Sequence, residues 1–339
     1  MLNLQDNVFN ARQPRHRPKL KLWRYLGLML TYQCNASCRF CYYHCSPQGE
    51  GLMSVETAIL SWQGLVRIAG NRASIHLTGG EPFLYFDRLA DICDTGRKLG
   101  LSPVDTIETN AGVWENRADL TDKLRFLDAR GLGRLKVSWD AFHEEFVDGE
   151  KVRQFVAIAR DVLGTERVLV RWEKYLDNPS GIRQMTPQQR DDVMQAALET
   201  DACRFTGRAA TALAPLVLRF SHETLKGRCC QNALLGARGV HIDPYGNVFS
   251  GQCSGIIVGN VTQRPLDALW MTFEPDRAEF WSDLYSKGPA GLLKWAQASD
   301  FQLQEEYASK CHLCTDIRRF FFDKQLYSTI IGPSDCYRT

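Results

Sequence analysis

Between residues 23 and 215, this chain of 339 residues repeats one pattern: a short apolar run, a polar turn, then an amphipathic helical segment. That alternation limits the fold more than any other feature. Strands separated by helices pair in parallel through right-handed crossovers, so the segment must form a parallel sheet, either open or barrel-like. Strands are expected at 23–30, 74–82, 104–112, 134–142 and 167–175, with a sixth at 202–210. Helices are expected at 54–70, 86–100, 116–131, 150–164 and 186–200. Ser54 and Thr186 are the caps expected at two starts, and Gly70 and Gly100 mark two stops. In such sheets the active site lies at the carboxyl ends of the strands. After residue 215 the pattern changes. Residues 239–253 read as a hairpin around "DPYGN", followed by a short helix at 265–270 and mixed helical sequence. The expected organisation is an N-terminal arm (1–22), a βα domain (23–215) and a smaller C-terminal domain (216–339).

The cysteines say what the fold is for. The chain has 12, and most fall in clusters: Cys34, Cys38, Cys41 and Cys45; Cys229, Cys230 and Cys253; Cys311 and Cys314. No stretch approaches the ~20 apolar residues of a membrane span, and the first residues lack the apolar segment of a signal peptide. Net charge is only +2, which gives no field for nucleic acid or an anionic membrane. The expectation is a soluble cytoplasmic protein with no nucleic-acid or membrane partner. The cytosol keeps thiols reduced, so clustered cysteines there point to metal rather than disulfides. Cys34-x3-Cys38-x2-Cys41 offers three closely spaced thiolates, the ligands iron–sulfur clusters take. Three ligands on a four-iron cluster leave one iron open. Spacing alone leaves structural zinc open, and leaves Cys45 open as a fourth ligand.

This stretch resembles the radical S-adenosylmethionine (SAM) superfamily, whose signature is Cys-x3-Cys-x-aromatic-Cys; the aromatic here is Phe40. A second element of the family, Gly-Gly-Glu after the second strand, stands here as "TGGEP" (Thr78 to Pro82). The resemblance covers roughly residues 23 to 215. It implies an α/β fold, a partial (β/α)6 barrel. It implies a [4Fe-4S] cluster on Cys34, Cys38 and Cys41, with S-adenosyl-L-methionine held against the open iron. One electron from the cluster would then cleave SAM to a 5′-deoxyadenosyl radical, which takes a hydrogen atom from the substrate. An electron donor such as flavodoxin or ferredoxin is the implied partner. Gly79, Gly80 and Glu81 are expected to hold the SAM amino group. Asn110 of "ETN" lies where the family often ends its third strand. Ser138 and Asp140 of "SWD" are candidates for the ribose hydroxyls or the substrate, and Arg208 of "TGRAA" for the SAM carboxylate. Cys45 then becomes a spare thiol.

The C-terminal cysteines look like the auxiliary-cluster domains of the same superfamily, called SPASM when full and twitch when truncated. Phe320 and Lys324 stand where the full pattern has two further cysteines. The resemblance therefore implies one auxiliary [4Fe-4S] cluster on Cys230, Cys253, Cys311 and Cys314, with a zinc ribbon as the alternative for the same four. Cys229 is a candidate hydrogen-atom donor to a substrate radical. Cys93, Cys203 and Cys336 read as small buried hydrophobes. Only about twenty residues precede the first strand, too few for the leader-binding domain that peptide-modifying members carry. The expected substrate is accordingly a small molecule, such as a sugar or aminocyclitol in natural product biosynthesis. It would be epimerised or dehydrogenated; crosslinking or epimerisation of a precursor peptide is the alternative.

Overall fold

The structure is a computed structural model, and it describes residues 1–201, 203–251 and 253–338. Its centre is a sheet of eight strands. In chain order its first five are β1 (Tyr25–Met29), β2 (Ser74–Thr78), β3 (Val104–Thr109), β4 (Arg134–Ser138) and β5 (Val168–Arg171). All neighbours among these pair in parallel. A two-residue strand β6 (Phe220–Ser221) lies outside the sheet and pairs with β10 (Glu306–Tyr307). The sheet is completed by β7 (Gly239–Ile242), β8 (Asn247–Ser250) and β9 (Ile257–Asn260), giving the order β5-β4-β3-β2-β1-β7-β8-β9.

The connecting helices stand where their periodicity and caps predict. Val55–Ala69 is capped by the Ser54 side chain and ends on Gly70 at φ 59°. Arg117–Ala129 is capped by Asn116, and Gly149–Leu163 by Asp148. Pro187–Thr200 begins with a reciprocal pair of hydrogen bonds between Thr186 and Gln189. One face of every barrel strand is apolar and packs under these helices: Leu26 and Leu28, Ile75 and Leu77, Leu135 and Val137, Val168 and Val170 are all buried.

Two expectations change. Within 202–210 the described residues form no strand; they run as coil into a turn and a short helix, Ala209–Ala212. Gly207 there has φ 60° and packs on the backbone of Tyr42, so this segment closes on the first cysteine loop rather than on the sheet. Instead, β7 lies parallel to β1, Gly27 opposite His241. The boundary expected near residue 215 therefore does not divide two sheets, because the hairpin beyond it continues the first. Among the described residues, no helix is long and apolar enough to cross a membrane.

Candidate functional site

The cysteine loop follows β1 directly. Its ends are fastened by a Cys34 N–H to Ser46 carbonyl bond of 2.9 Å and by Thr31 paired with Leu52. Cys34, Cys38, Cys41 and Cys45 all line one cavity of about 540 Å³ at the carboxyl ends of the strands. Burial pushes the Cys34 and Cys38 thiols well up. Cys41 is pulled down to about 6, first by its hydrogen bond with Cys45 and further by Arg208. Buried thiols that cannot ionise alone suit ligation, where the metal takes up the charge. Among the described residues, no group of three or more His, Cys, Asp or Glu closes on a single ion. A multi-iron cluster asks for something else: thiols standing apart around a cavity, each for a different iron. The donor set fits that group.

Several motif residues also hold the loop and strand ends together. Gly80 packs so closely on the Gln33 carbonyl that a side chain would collide with it. At Gly79 (φ 130°) a methyl group would sit 2.8 Å from both Leu30 N and Thr31 O. The two glycines thus let the turn lie against the start of the cysteine loop, and both still line the cavity. Glu81 is fully buried, and its carboxylate accepts from Phe83 N–H, Thr109 O–H and Asn110 N–H. It ties the end of β2 to the end of β3, with its side chain spent inside the protein. Burial raises it to about 7.

Asp140 caps the short helix Ala141–Glu144, accepting from Phe142 and His143 N–H and pairing with His143 Nδ1 at 2.8 Å. These bonds all use Oδ1, and Oδ2 has no partner among the described residues. His143 in turn lines the cavity and stacks edge-on against Phe40. The Arg208 guanidinium donates to the carbonyls of Cys38, His44 and Cys45 at 2.8, 2.9 and 2.9 Å, so it clamps the loop. Asn110 lines the cavity, with Nδ2 3.6 Å from Cys34 Sγ. Ser138 lines it too, and donates to Glu108. His44, Ala111 and Trp172, each next to a residue that lines the cavity, hold φ near +58°.

A second cavity of about 280 Å³ is lined by Cys230, Cys253, Cys311 and Cys314, with Arg204, Lys310 and Arg318. Arg318 is buried, and its acceptors among the described residues are all neutral: carbonyls of Ser254 and Cys314, hydroxyls of Thr206, Thr315 and Tyr337. A buried guanidinium without a counter-charge is costly. Four thiolates on a cluster would supply one, so these residues fit such a group. Cys229 belongs to this side of the molecule: Lys310 donates to its carbonyl at 2.6 Å, and it is not among the residues lining the barrel cavity. The expected donor role for Cys229 loses its geometric basis.

Sequence reasoning missed the floor of the barrel. Each strand sends a polar side chain inward: Tyr25, His76, Glu108, Lys136, Arg171 and His241 all line the same cavity. Tyr25 hydrogen-bonds His76 Nδ1, His76 Nε2 lies 3.2 Å from Glu108, and Lys136 lies 2.8 Å from Glu108. The signal was available. In "SIHLT", "TIET" and "RLKVS" a polar residue alternates with buried aliphatics, which in a helix-covered sheet means a hollow, wet inner face.

No family model matches the chain. Among curated proteins it is similar to the GTP 3′,8-cyclase of Paenarthrobacter nicotinovorans, 32% identical over 127 residues, 35% of this chain and 32% of that one. It is also 25% identical over 186 residues to molybdenum cofactor biosynthesis protein 1 of Dictyostelium discoideum, 53% of this chain and 26% of that one. The chain thus spans about a third or less of the length of these relatives. Among solved structures, BtrN in complex with AdoMet and 2-DOIA superposes with TM-score 0.45 at 14% identity, over 87% of this chain and 92% of that one. SuiB of Streptococcus suis bound to S-adenosylmethionine gives 0.39 at 12%, over 78% and 69%. The cysteine loop after β1, the Gly-Gly-Glu turn one βα unit later and the relatedness in sequence define the class: the chain belongs to the radical SAM superfamily.

Proposed function

We propose that this protein is a radical SAM enzyme that removes a hydrogen atom from a small polar substrate held on the barrel floor. The observation that carries the reading is that Cys34, Cys38 and Cys41 share one cavity with Gly79, Gly80 and Asn110, contributed by separate strand ends. A [4Fe-4S] cluster on the three thiols, with SAM bound, supplies reductive cleavage of the sulfonium and a 5′-deoxyadenosyl radical. This chain's residues do the rest. Arg208 and the Gly79–Gly80 turn fix the cysteine loop. The Gly79 and Gly80 backbone and Asn110 offer polar groups to SAM, and Phe40 with His143 forms one wall. The second cavity holds one auxiliary [4Fe-4S] cluster on Cys230, Cys253, Cys311 and Cys314, a set that suits electron transfer because every iron is ligated. A flavodoxin or ferredoxin supplies the first electron.

The substrate in this reading is a sugar- or cyclitol-sized molecule, epimerised or dehydrogenated. A cavity of about 540 Å³ must hold SAM as well, which leaves room for a small ring. Peptide modification is the alternative, with one side chain inserted. Several of the curated relatives are named GTP 3′,8-cyclase, so GTP belongs in the assay.

The test is iron and sulfide content after anaerobic reconstitution, for wild type and for Cys34/Cys38/Cys41→Ala. About eight irons falling to about four, with loss of 5′-deoxyadenosine formation under dithionite, is expected. Zinc in place of iron, or full SAM cleavage by the triple variant, would overturn the reading.

A further inference from the structure

His241 stands at the β7 side of the barrel floor. There Tyr25 bonds His76 Nδ1, and Lys136 and Ser138 both reach Glu108, while His76 Nε2 lies 3.2 Å from Glu108 without hydrogen-bond geometry. His241 has only one nitrogen engaged: Nδ1 lies 2.8 Å from the Gly251 carbonyl, which fixes the proton there and leaves Nε2 as a lone-pair acceptor. Among the described residues Nε2 has no partner, and the ring lines the cavity. The chain makes room for it. Gly27 is paired with His241 on β7 and with His76 on β2, and a methyl group at Gly27 would collide with the His241 ring. Tyr25 stands edge-on to both imidazoles, at 5.6 Å from His76 and 5.8 Å from His241. The Tyr43 ring lies 5.9 Å from the His241 ring, and its buried hydroxyl has no hydrogen-bond partner among the described residues. The Nε2 acceptor of His241 is thus unspent at the cavity wall, where a substrate hydroxyl would satisfy it.

Resting on the radical reading above, we propose that His241 accepts the hydroxyl proton of a polyol substrate at the carbon that loses its hydrogen atom. Before the chemistry, the substrate O–H donates to Nε2 and so orients that carbon. Once the hydrogen atom has left, the hydroxyl on the resulting carbon radical is far more acidic than an alcohol. Its O–H bond then breaks, an N–H bond forms at Nε2, and the bonding pair stays on oxygen. No electron enters or leaves, so the step needs no oxidant. Burial holds His241 down to about 4, so the ring is neutral at neutral pH and its Nε2 lone pair is free. The charged and titratable groups around it are Tyr25, Tyr43, His76, Glu108 and Lys136.

The test uses the reconstituted holoenzyme with SAM. Myo-inositol, glucosamine and a serine-containing pentapeptide are titrated as probes by calorimetry, and 5′-deoxyadenosine is followed in parallel. The expected result is binding of a polyol probe that His241→Phe weakens about tenfold or more, since it keeps the ring and loses the acceptor. His241→Gln restores an acceptor without a basic nitrogen. It should recover binding to within about threefold while turnover of the bound probe stays lost. Iron content and SAM binding report folding of each variant separately, and the Gln variant carries the test should the Phe variant fail to fold. Equal polyol binding by wild type and His241→Phe, or full turnover by His241→Gln, would overturn the role of His241. A wild type that cleaves SAM under dithionite but binds the pentapeptide alone, or no probe, would overturn the substrate class. A wild type that cleaves no SAM at all would instead remove the radical reading beneath it.

Discussion

Arg318 carries a charge that no carboxylate among the described residues balances, and it sits beside four cysteines. Its partners are dipoles, which solvate a guanidinium but leave its net charge in place. Replacing it with Met removes that charge and leaves the carbonyls and hydroxyls around it to re-pair or remain unsatisfied. Arg318→Met should therefore reconstitute with about four irons instead of about eight, while SAM-dependent spectral changes of the first cluster persist. An unchanged iron content would show that the second cavity needs no cation. At this scale the sequence was legible in identity more than in role. Glu81, Asp140 and Arg208 were all singled out, and all stand around the cysteine loop or at strand ends. What each side chain bonds depends on which backbone groups the fold leaves unpaired nearby, and spacing does not encode that.

The hairpin of β7 and β8 is the element that brings His241 to the barrel. "DPYGN" marked it clearly, because Gly246 takes φ 83° and Asp243 caps the turn. The Asp243 carboxylate accepts from Tyr245 and Asn247 N–H at 2.9 Å each, from Asn247 Nδ2 at 3.0 Å and from Tyr32 O–H at 3.1 Å. Burial nevertheless outweighs these bonds and raises Asp243 to about 6 from an ordinary 3.8. The folded state then binds this proton more tightly than the unfolded one, so its contribution to stability falls as pH rises from about 4 to about 6. In urea unfolding at pH 4, 5 and 6, Asp243→Asn should lack that decline, which appears as a shrinking difference from wild type as pH rises. A constant difference would mean that the carboxylate ionises normally. Asp243→Ala strands several donors and should cost about 2–4 kcal/mol at neutral pH. That β7 joins β1 was not legible. A four-residue strand has no feature that names its partner, and the parallel edge of β1 is offered by residues more than two hundred positions earlier.

Across the whole molecule, the two cysteine sets are mechanically joined. Ser254, next to Cys253, donates to the Tyr42 carbonyl at 2.6 Å, next to Cys41. Thr206 meets Thr315 and Arg318 on the helix Lys310–Asp323, while Arg208, two residues on, clamps the first loop. This link explains why the described part of 202–210, expected as a strand, is drawn off the sheet: its polar groups are used between the two sites. The division of labour proposed for the two sets can be separated by Cys311/Cys314→Ala. The first cluster should survive, and 5′-deoxyadenosine should still form with the substrate. If the enzyme dehydrogenates, the radical left on carbon must deliver its second electron to the auxiliary cluster. The double variant should then lose the product that is two mass units lighter, while wild type makes it with no solvent deuterium at that carbon. If the enzyme epimerises, wild type product keeps its mass in ordinary water and gains one deuterium in heavy water. A hydrogen-atom donor must then reach the radical from within the barrel cavity, where Cys45 is the cysteine left over from the cluster motif. Product mass in heavy water, measured for wild type and the double variant side by side, decides between the two.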